Sequence, residues 1–221
     1  MPDNKINWKN HFIELIVVIF GISIAFAIDK YAERIKQESE MILSLESFAD
    51  DLERDIRIFG ENQIPSNQRR VDELNTLIGK LRAEELESDS LGILVRRMFS
   101  SANSRITVAT YESLKSSGKL EDIPNVELRR KIVSHYENNY KQSDYISEVN
   151  TDYYDRLLTY ISEHSSALFD GNFNDRKLLT DPGFRSMVAR WEDIVSFKVR
   201  EYKRMMESSQ EVLDAIKEEL K

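Results

Sequence analysis

The sequence predicts an all-α protein, with an N-terminal transmembrane helix continuing into an elongated antiparallel helical bundle with long first, middle and last helices. Three observations carry this. Seven glycines, four prolines and no cysteine in 221 residues leave few turn formers for an all-β chain and no disulfide framework. Residues 12–28 form an apolar run of 17 with one charge, Glu14, although the mean hydropathy of the chain is -0.49. Elsewhere apolar residues recur at steps of three and four over stretches far longer than a strand.

The chain divides into a tail (1–11), a transmembrane helix (12–28) and a helical bundle (29–221). At about 1.5 Å per residue the apolar run reaches the shorter end of what crosses a bilayer, and Trp8 with flanking lysines supplies interface anchors. Lys5 and Lys9 before the run and Ala25-Phe26-Ala27 at its end also resemble a secretory signal. Glu14 at its start and helical patterning straight through the cleavage-like site favour an uncleaved anchor. Lys5 and Lys9 on one side nearly balance Lys30, Arg34 and Lys36 on the other, so charge does not set the orientation.

Counting in sevens, Ile28, Ile35, Ile42, Ala49 and Ile56 occupy one position and Tyr31, Glu38, Leu45, Leu52 and Phe59 the position three residues on. The register extends backward through Glu14, Val17, Gly21 and Ile24, which predicts one helix of about 45 residues ending near Gly60. Pro65 opens the next helix, with Val71, Leu74, Ile78 and Leu81, and Ser88-Asp89-Ser90 caps a short one carrying Leu91, Leu94, Val95 and Met98. Residues 100–110 read as a connection, residues 111–117 as a short helix stopped by Gly118 in a left-handed conformation. Asn125 precedes a long helix expected to last until about Phe169, before Asp170-Gly171-Asn172. Thr180-Asp181-Pro182 starts the last helix, whose stripe comprises Val188, Trp191, Val195, Tyr202, Met206, Ser209, Leu213, Ile216 and Leu220.

Glu14-x6-Gly21-Ile22-x2-Ala25, Thr110-Tyr111-Glu112-Ser113-Leu114-x2-Ser117-Gly118-Lys119-Leu120, Asn125-x-Glu127-Leu128-Arg129 and Leu179-x-Asp181-Pro182-x-Phe184-Arg185 follow one another in order. Together they resemble an uncharacterised family of bacterial membrane proteins, a domain of unknown function with an N-terminal transmembrane helix and a helical remainder. Asp29-Lys30-Tyr31 departs from the Asn-Asn-Trp frequent in that family. The resemblance implies a cytoplasmic N-terminus and an extracytoplasmic (periplasmic) bundle, and brings no activity with it.

With 39 acidic against 31 basic side chains, a net charge of -8 argues against nucleic acid as a partner. His11, His135 and His164 have no metal-binding spacing, and no phosphate loop, nucleophile elbow or dinucleotide motif occurs, so no cofactor, metal or catalytic residue is expected. Acid pairs such as Asp50-Asp51 and Glu84-Glu85 read as solvated helix faces, and Arg69-Arg70, Arg96-Arg97 and Arg129-Arg130-Lys131 as partners in surface ion pairs.

Membrane-helix association falls to Glu14, Gly21, Ser23 and Ala25, because Gly21-x3-Ala25 and Ser23-x3-Ala27 permit close approach of two helices. Of six tyrosines between Tyr136 and Tyr160, Tyr145, Tyr153 and Tyr154 stand off the apolar stripe as a candidate partner surface. The expectation is a non-enzymatic, single-pass scaffold, assembly subunit or sensor, meeting membrane lipid and either its own copies or another membrane protein. The alternative is an oligomeric effector or ion-channel subunit lined by the Glu14/Gly21 seam.

Overall fold

A computed structural model describes residues 8–87, 89–100 and 103–221. The tail with Lys5 and the cap at Ser88 lie outside the described residues, as do the side chains of Trp8, Lys9 and His11. Described residues form helices and connections with no strand, and the chain divides into two compact units, Met1–Glu46 and Ser47–Lys221.

The first unit contributes one stretch of helix. Helix α1 runs Trp8–Arg57, and from residue 14 to residue 39 every side chain is exposed. This helix is long and apolar enough near the N-terminus to cross a membrane.

In the second unit the end of α1 passes through a π-helical segment, Ile58–Gln63, into α2, Ile64–Arg82. Gly60 therefore does not end the helix, contrary to the sequence expectation. Pro65 has no backbone N–H and its ring collides with the preceding turn of an ordinary α-helix. The widened turn ahead of it, in which the Ile64 N–H reaches the Phe59 carbonyl, makes the room. The face this rod buries is Phe48, Asp51, Leu52, Asp55 and Phe59, with Ala49 and Ile56 at its edge.

After α3 (Asp89–Met98) residues 103–108 form no regular secondary structure, and the chain then forms α4 (Ala109–Ser116) and one tight turn, Lys119–Asp122. Gly118 between them has φ +74, the left-handed region expected of it. Helix α5 runs Val126–His164, α6 Ala167–Asp170, α7 Arg176–Thr180 and α8 Pro182–Glu219. Helix α5 stops five residues before Phe169, because Ser165 is extended and its hydroxyl bonds the Asp175 carboxylate at 2.5 Å.

Contacts at the two ends of this unit give the directions. Phe48 meets Tyr136 and Glu53 meets Lys217 at one end; Asn75 meets Glu192 and Gly92 meets Asn174 at the other. The α1/α2 rod and α5 thus run one way, and α8 returns antiparallel to both. Helix α3 with the irregular segment forms a fourth rod, half helix and half strap, α3 packing on α2 and the strap bonding to α8. Leucines of α2, Leu91, Val95 and Met98 of α3, Leu157 and Ile161 of α5, and Phe184, Val188, Trp191 and Val195 of α8 share one core. Trp191 ties it together, its ring stacked on Tyr153 and its indole N–H donated to the Met98 carbonyl at 2.8 Å.

The motifs quoted above mostly start and stop helices. Asn125 accepts from the Glu127 and Leu128 N–H groups at the head of α5, and Asp181 from those of Gly183 and Phe184 at the head of α8, with Pro182 at the first helical position. Asp181 also accepts the Tyr160 hydroxyl at 3.0 Å. Replacing Asp181 by Ala is expected to cost about 1–2 kcal/mol, the usual loss for a removed cap, read from urea unfolding followed by circular dichroism. An unchanged midpoint would mean that the cap does not hold α8.

Candidate functional site

An irregular segment inside a helical bundle must find partners for its own backbone, because its N–H and C=O groups have no ladder. Within residues 103–108, backbone groups of Ser104 and Thr107 find them on two helices. The Thr107 backbone N–H donates to Asp55 Oδ2 at 2.8 Å and its hydroxyl to Asp55 Oδ1 at 2.6 Å; the Thr110 hydroxyl donates to Asp51 Oδ2 at 2.6 Å. From α8, the Tyr202 hydroxyl accepts the Ser104 N–H at 3.1 Å and donates to the Ser104 carbonyl at 3.3 Å. Lys198 Nζ donates to Asn103 Oδ1 at 3.0 Å and to Asn150 Oδ1 on α5 at 3.2 Å. Ile106 is buried among these groups.

Asp51 and Asp55 correct the expectation of a solvated acidic face. Asp50 is exposed, but Asp51 and Asp55 are buried, one turn apart and within the spacing of Phe48, Leu52 and Phe59. Burial pushes the Asp55 carboxyl up, and the two Thr107 hydrogen bonds oppose this in part. Lys198 is fully buried, and desolvation lowers it to about 7. Its position was legible: three residues after Val195 and four before Tyr202, it falls on the stripe of the last helix.

A second group lies at the start of α5. Tyr111 stacks on Tyr136 at 4.7 Å and donates to Glu137 Oε1 at 2.8 Å, an oxygen shared with Lys115 Nζ at 2.5 Å. Lys115 first, then the Tyr111 hydroxyl, hold Glu137 down at about 2. His135 Nδ1 stands 2.9 Å from Ser208 Oγ and 2.9 Å from the Asn139 amide nitrogen. Burial lowers the imidazole to about 4, so it is neutral at physiological pH. The pair opens on a cleft of about 310 Å³ bordered by Arg130, Lys131 and Glu211. A hydroxyl beside a neutral imidazole is a nucleophile and base in outline, but Ser208 sits within α8, whose backbone N–H groups are committed to the helix.

The residues singled out in the sequence are placed separately. Gly21, Ser23 and Ala25 are exposed on α1 in the first unit, as is the Glu14 side chain, and nothing lies within 4 Å of a Cβ placed on Gly21. In the second unit Tyr145 is 53% exposed and meets Phe197 edge-on at 6.5 Å. It borders a cleft of about 520 Å³ between α5 and α8, with Val149, Ile194 and Phe197 as apolar lining and Arg190 and Arg200 among its charged residues. The Arg200 guanidinium lies 5.9 Å from the Phe197 ring centre. Tyr153 is turned inward, its hydroxyl bonded to the Met187 carbonyl at 3.0 Å, and Tyr154 is half-buried edge-on to Phe99. The three tyrosines thus do not form one surface.

Five arginines of the basic clusters are engaged in ion pairs and carbonyl contacts. Arg70 and Arg97 converge on Glu73, Arg129 pairs with Glu121 and Arg130 with Glu127, while Arg96 donates to the Gly171 carbonyl. Among the described residues no three histidine or acidic side chains are grouped as metal ligands.

A model described as a family of unknown function, DUF6090, matches residues 14–189, and the chain belongs to that family. The match takes in the apolar helix, both buried aspartates and the strap, and stops before Lys198 and Ser208. No curated protein and no solved structure matches the chain.

Two measurements check the clamp on the strap. Asp55→Ala leaves the N–H and hydroxyl of the half-buried Thr107 without their acceptor and is expected to cost about 1–3 kcal/mol, against less than about 0.5 for Asp50→Ala. The unfolded chain keeps the Lys198 proton up to about pH 10.5, whereas the folded chain releases it near 7. Between those values the unfolded state binds more protons, so stability from this group rises by up to about 1.4 kcal/mol per pH unit; below 7 its contribution is constant. Lys198→Met is expected to flatten that rise in urea unfolding measured from pH 7 to 9.5, and an unaltered slope would assign the rise to other groups.

Proposed function

We propose that this member of DUF6090 is a single-pass membrane protein whose helical body works by contact with another protein, as a scaffold, assembly subunit or sensor. The anchor is α1: its apolar residues 12–28 are followed by charged and polar side chains, and it is long enough to span. The observation that carries the contact reading is the Tyr145 cleft. Most polar groups described above serve the body itself, holding the strap or capping helices. Tyr145, by contrast, keeps large apolar area facing solvent beside Arg200 and the half-buried Phe197, the aromatic and arginine combination found at the centres of protein interfaces.

The body would then work on the extracytoplasmic side, the placement that the resemblance to such membrane proteins implies. A topology reporter fused after Lys221 is expected to be active outside the cytoplasm; activity confined to the cytoplasm would reverse the placement.

The contact reading is tested by isolating the full-length chain from membranes with and without Tyr145→Ala and Phe197→Ala. Loss of a co-purifying protein by at least about tenfold, with the unfolding midpoint unchanged, is expected if this cleft is an interface. Retention of every partner by the double variant would remove the cleft from the function.

A further inference from the structure

We propose that two copies of this chain pair in parallel through the exposed seam of α1 just past the apolar run, Ile28, Tyr31, Ile35 and Ile42 packing against the same residues of the second copy. The proposal rests on the membrane-anchored reading above.

The spacing points to a helical partner. Ile28, Ile35 and Ile42 repeat every seven residues and Tyr31 stands three after the first, the 3.5-residue period that keeps one stripe facing a second helix along a supercoil. Between Ile28 and Glu40 the remaining faces carry Asp29, Lys30, Glu33, Arg34, Lys36, Gln37, Ser39 and Glu40, with Ala32 the one apolar side chain off the seam. In the structure these four residues are 63%, 68%, 50% and 44% exposed. Lipid cannot account for the outer ones. At 1.5 Å rise per residue, Ile35 and Ile42 stand roughly 10 and 21 Å along the helix beyond Ile28, where the apolar run ends.

A second copy is the occupant that meets these constraints. Chains inserted in one bilayer with the same orientation present the same seam in parallel, at the same height and in register, as a parallel coiled coil requires. Fewer than three heptads would pair weakly in solution. Confinement to a membrane raises the effective concentration and removes much of that cost. Inside the span the stripe continues through Ile24 and Gly21, and the open space in front of Gly21 leaves room for close approach. Glu38 is the weak point, since it sits on the seam and would meet its own copy. Arg34, one turn before it, offsets part of that repulsion.

The chain has no cysteine, so single cysteines can be placed along residues 28–45 of the full-length protein and oxidised in intact membranes. Disulfide-linked dimer is expected to peak at Ile28→Cys, Tyr31→Cys, Ile35→Cys and Ile42→Cys, about fivefold or more above Asp29→Cys, Glu33→Cys, Lys36→Cys and Glu40→Cys, because a disulfide forms only where two Cβ atoms come within about 4.5 Å. Glu38→Leu is expected to increase cross-linking at Ile35→Cys at least about threefold. Membrane-bound chain that cross-links evenly, on the opposite face or not at all overturns the pairing alone. Chain recovered in the soluble fraction overturns the anchored reading and the pairing with it.

Discussion

The body depends on the way a non-helical strap is held within a helical bundle. A helix satisfies its own backbone; an irregular segment cannot, and burying its polar groups without partners would cost a few kcal/mol per orphaned group. Carboxylates and a hydroxyl placed on neighbouring helices meet that demand. Asp55 takes both donors of Thr107, Asp51 takes the Thr110 hydroxyl, and Tyr202 both accepts from and donates to Ser104. Burying ionisable groups has its own desolvation cost, which the shift in Asp55 registers, and charge-assisted hydrogen bonds offset it only while every partner stays in place. The strap and the two long helices that bracket it are therefore mutually dependent.

The same dependence explains why the bundle does not close as four full helices. The fourth rod begins as α3, whose apolar face enters the common core, and Met98 gives its carbonyl to Trp191 at its last residue. Beyond that point residues 103–108 continue without regular secondary structure, and Ile106 supplies their buried apolar side chain. Aromatic pairs close the lower part, Phe59 against Tyr202 at 5.0 Å and Tyr111 against Tyr136 at 4.7 Å. Elements contributed by distant parts of the sequence meet there, so the pieces are stable together rather than singly.

Local signals were legible in the sequence. Asn125, Asp181 with Pro182, and Gly118 act through their own backbone neighbourhood, and each stands where its side chain or conformational freedom is needed. The apolar run and the helical periods were likewise visible because they are properties of one segment. What escaped was set by tertiary partners. Asp51 looked like half of a solvated pair, and only the fold brings Thr110 of α4 to it. Tyr145, Tyr153 and Tyr154 looked equivalent, but Trp191 captured Tyr153 and Phe99 captured Tyr154, leaving Tyr145 outward. The end of α5 was missed for the same reason, since the Asp175 carboxylate that binds Ser165 belongs to the next connection.

The π-helical segment before Pro65 makes the rod a pair of rulers joined with a gap between their scales. One ruler is marked by Phe48, Leu52 and Phe59, the other by Asn67, Val71, Leu74 and Leu81, and the wide turn between them advances the chain without the rotation that an α-helical count would give. Each set of marks can face α8 only because that turn adds slack. Shortening residues 58–63 by one would turn the second scale by about 100° against the first, and the leucines of α2 would leave the core while its arginines entered it. The proline that looked like a boundary thus calibrates a continuous element, and the length of the segment ahead of it counts for more than its composition.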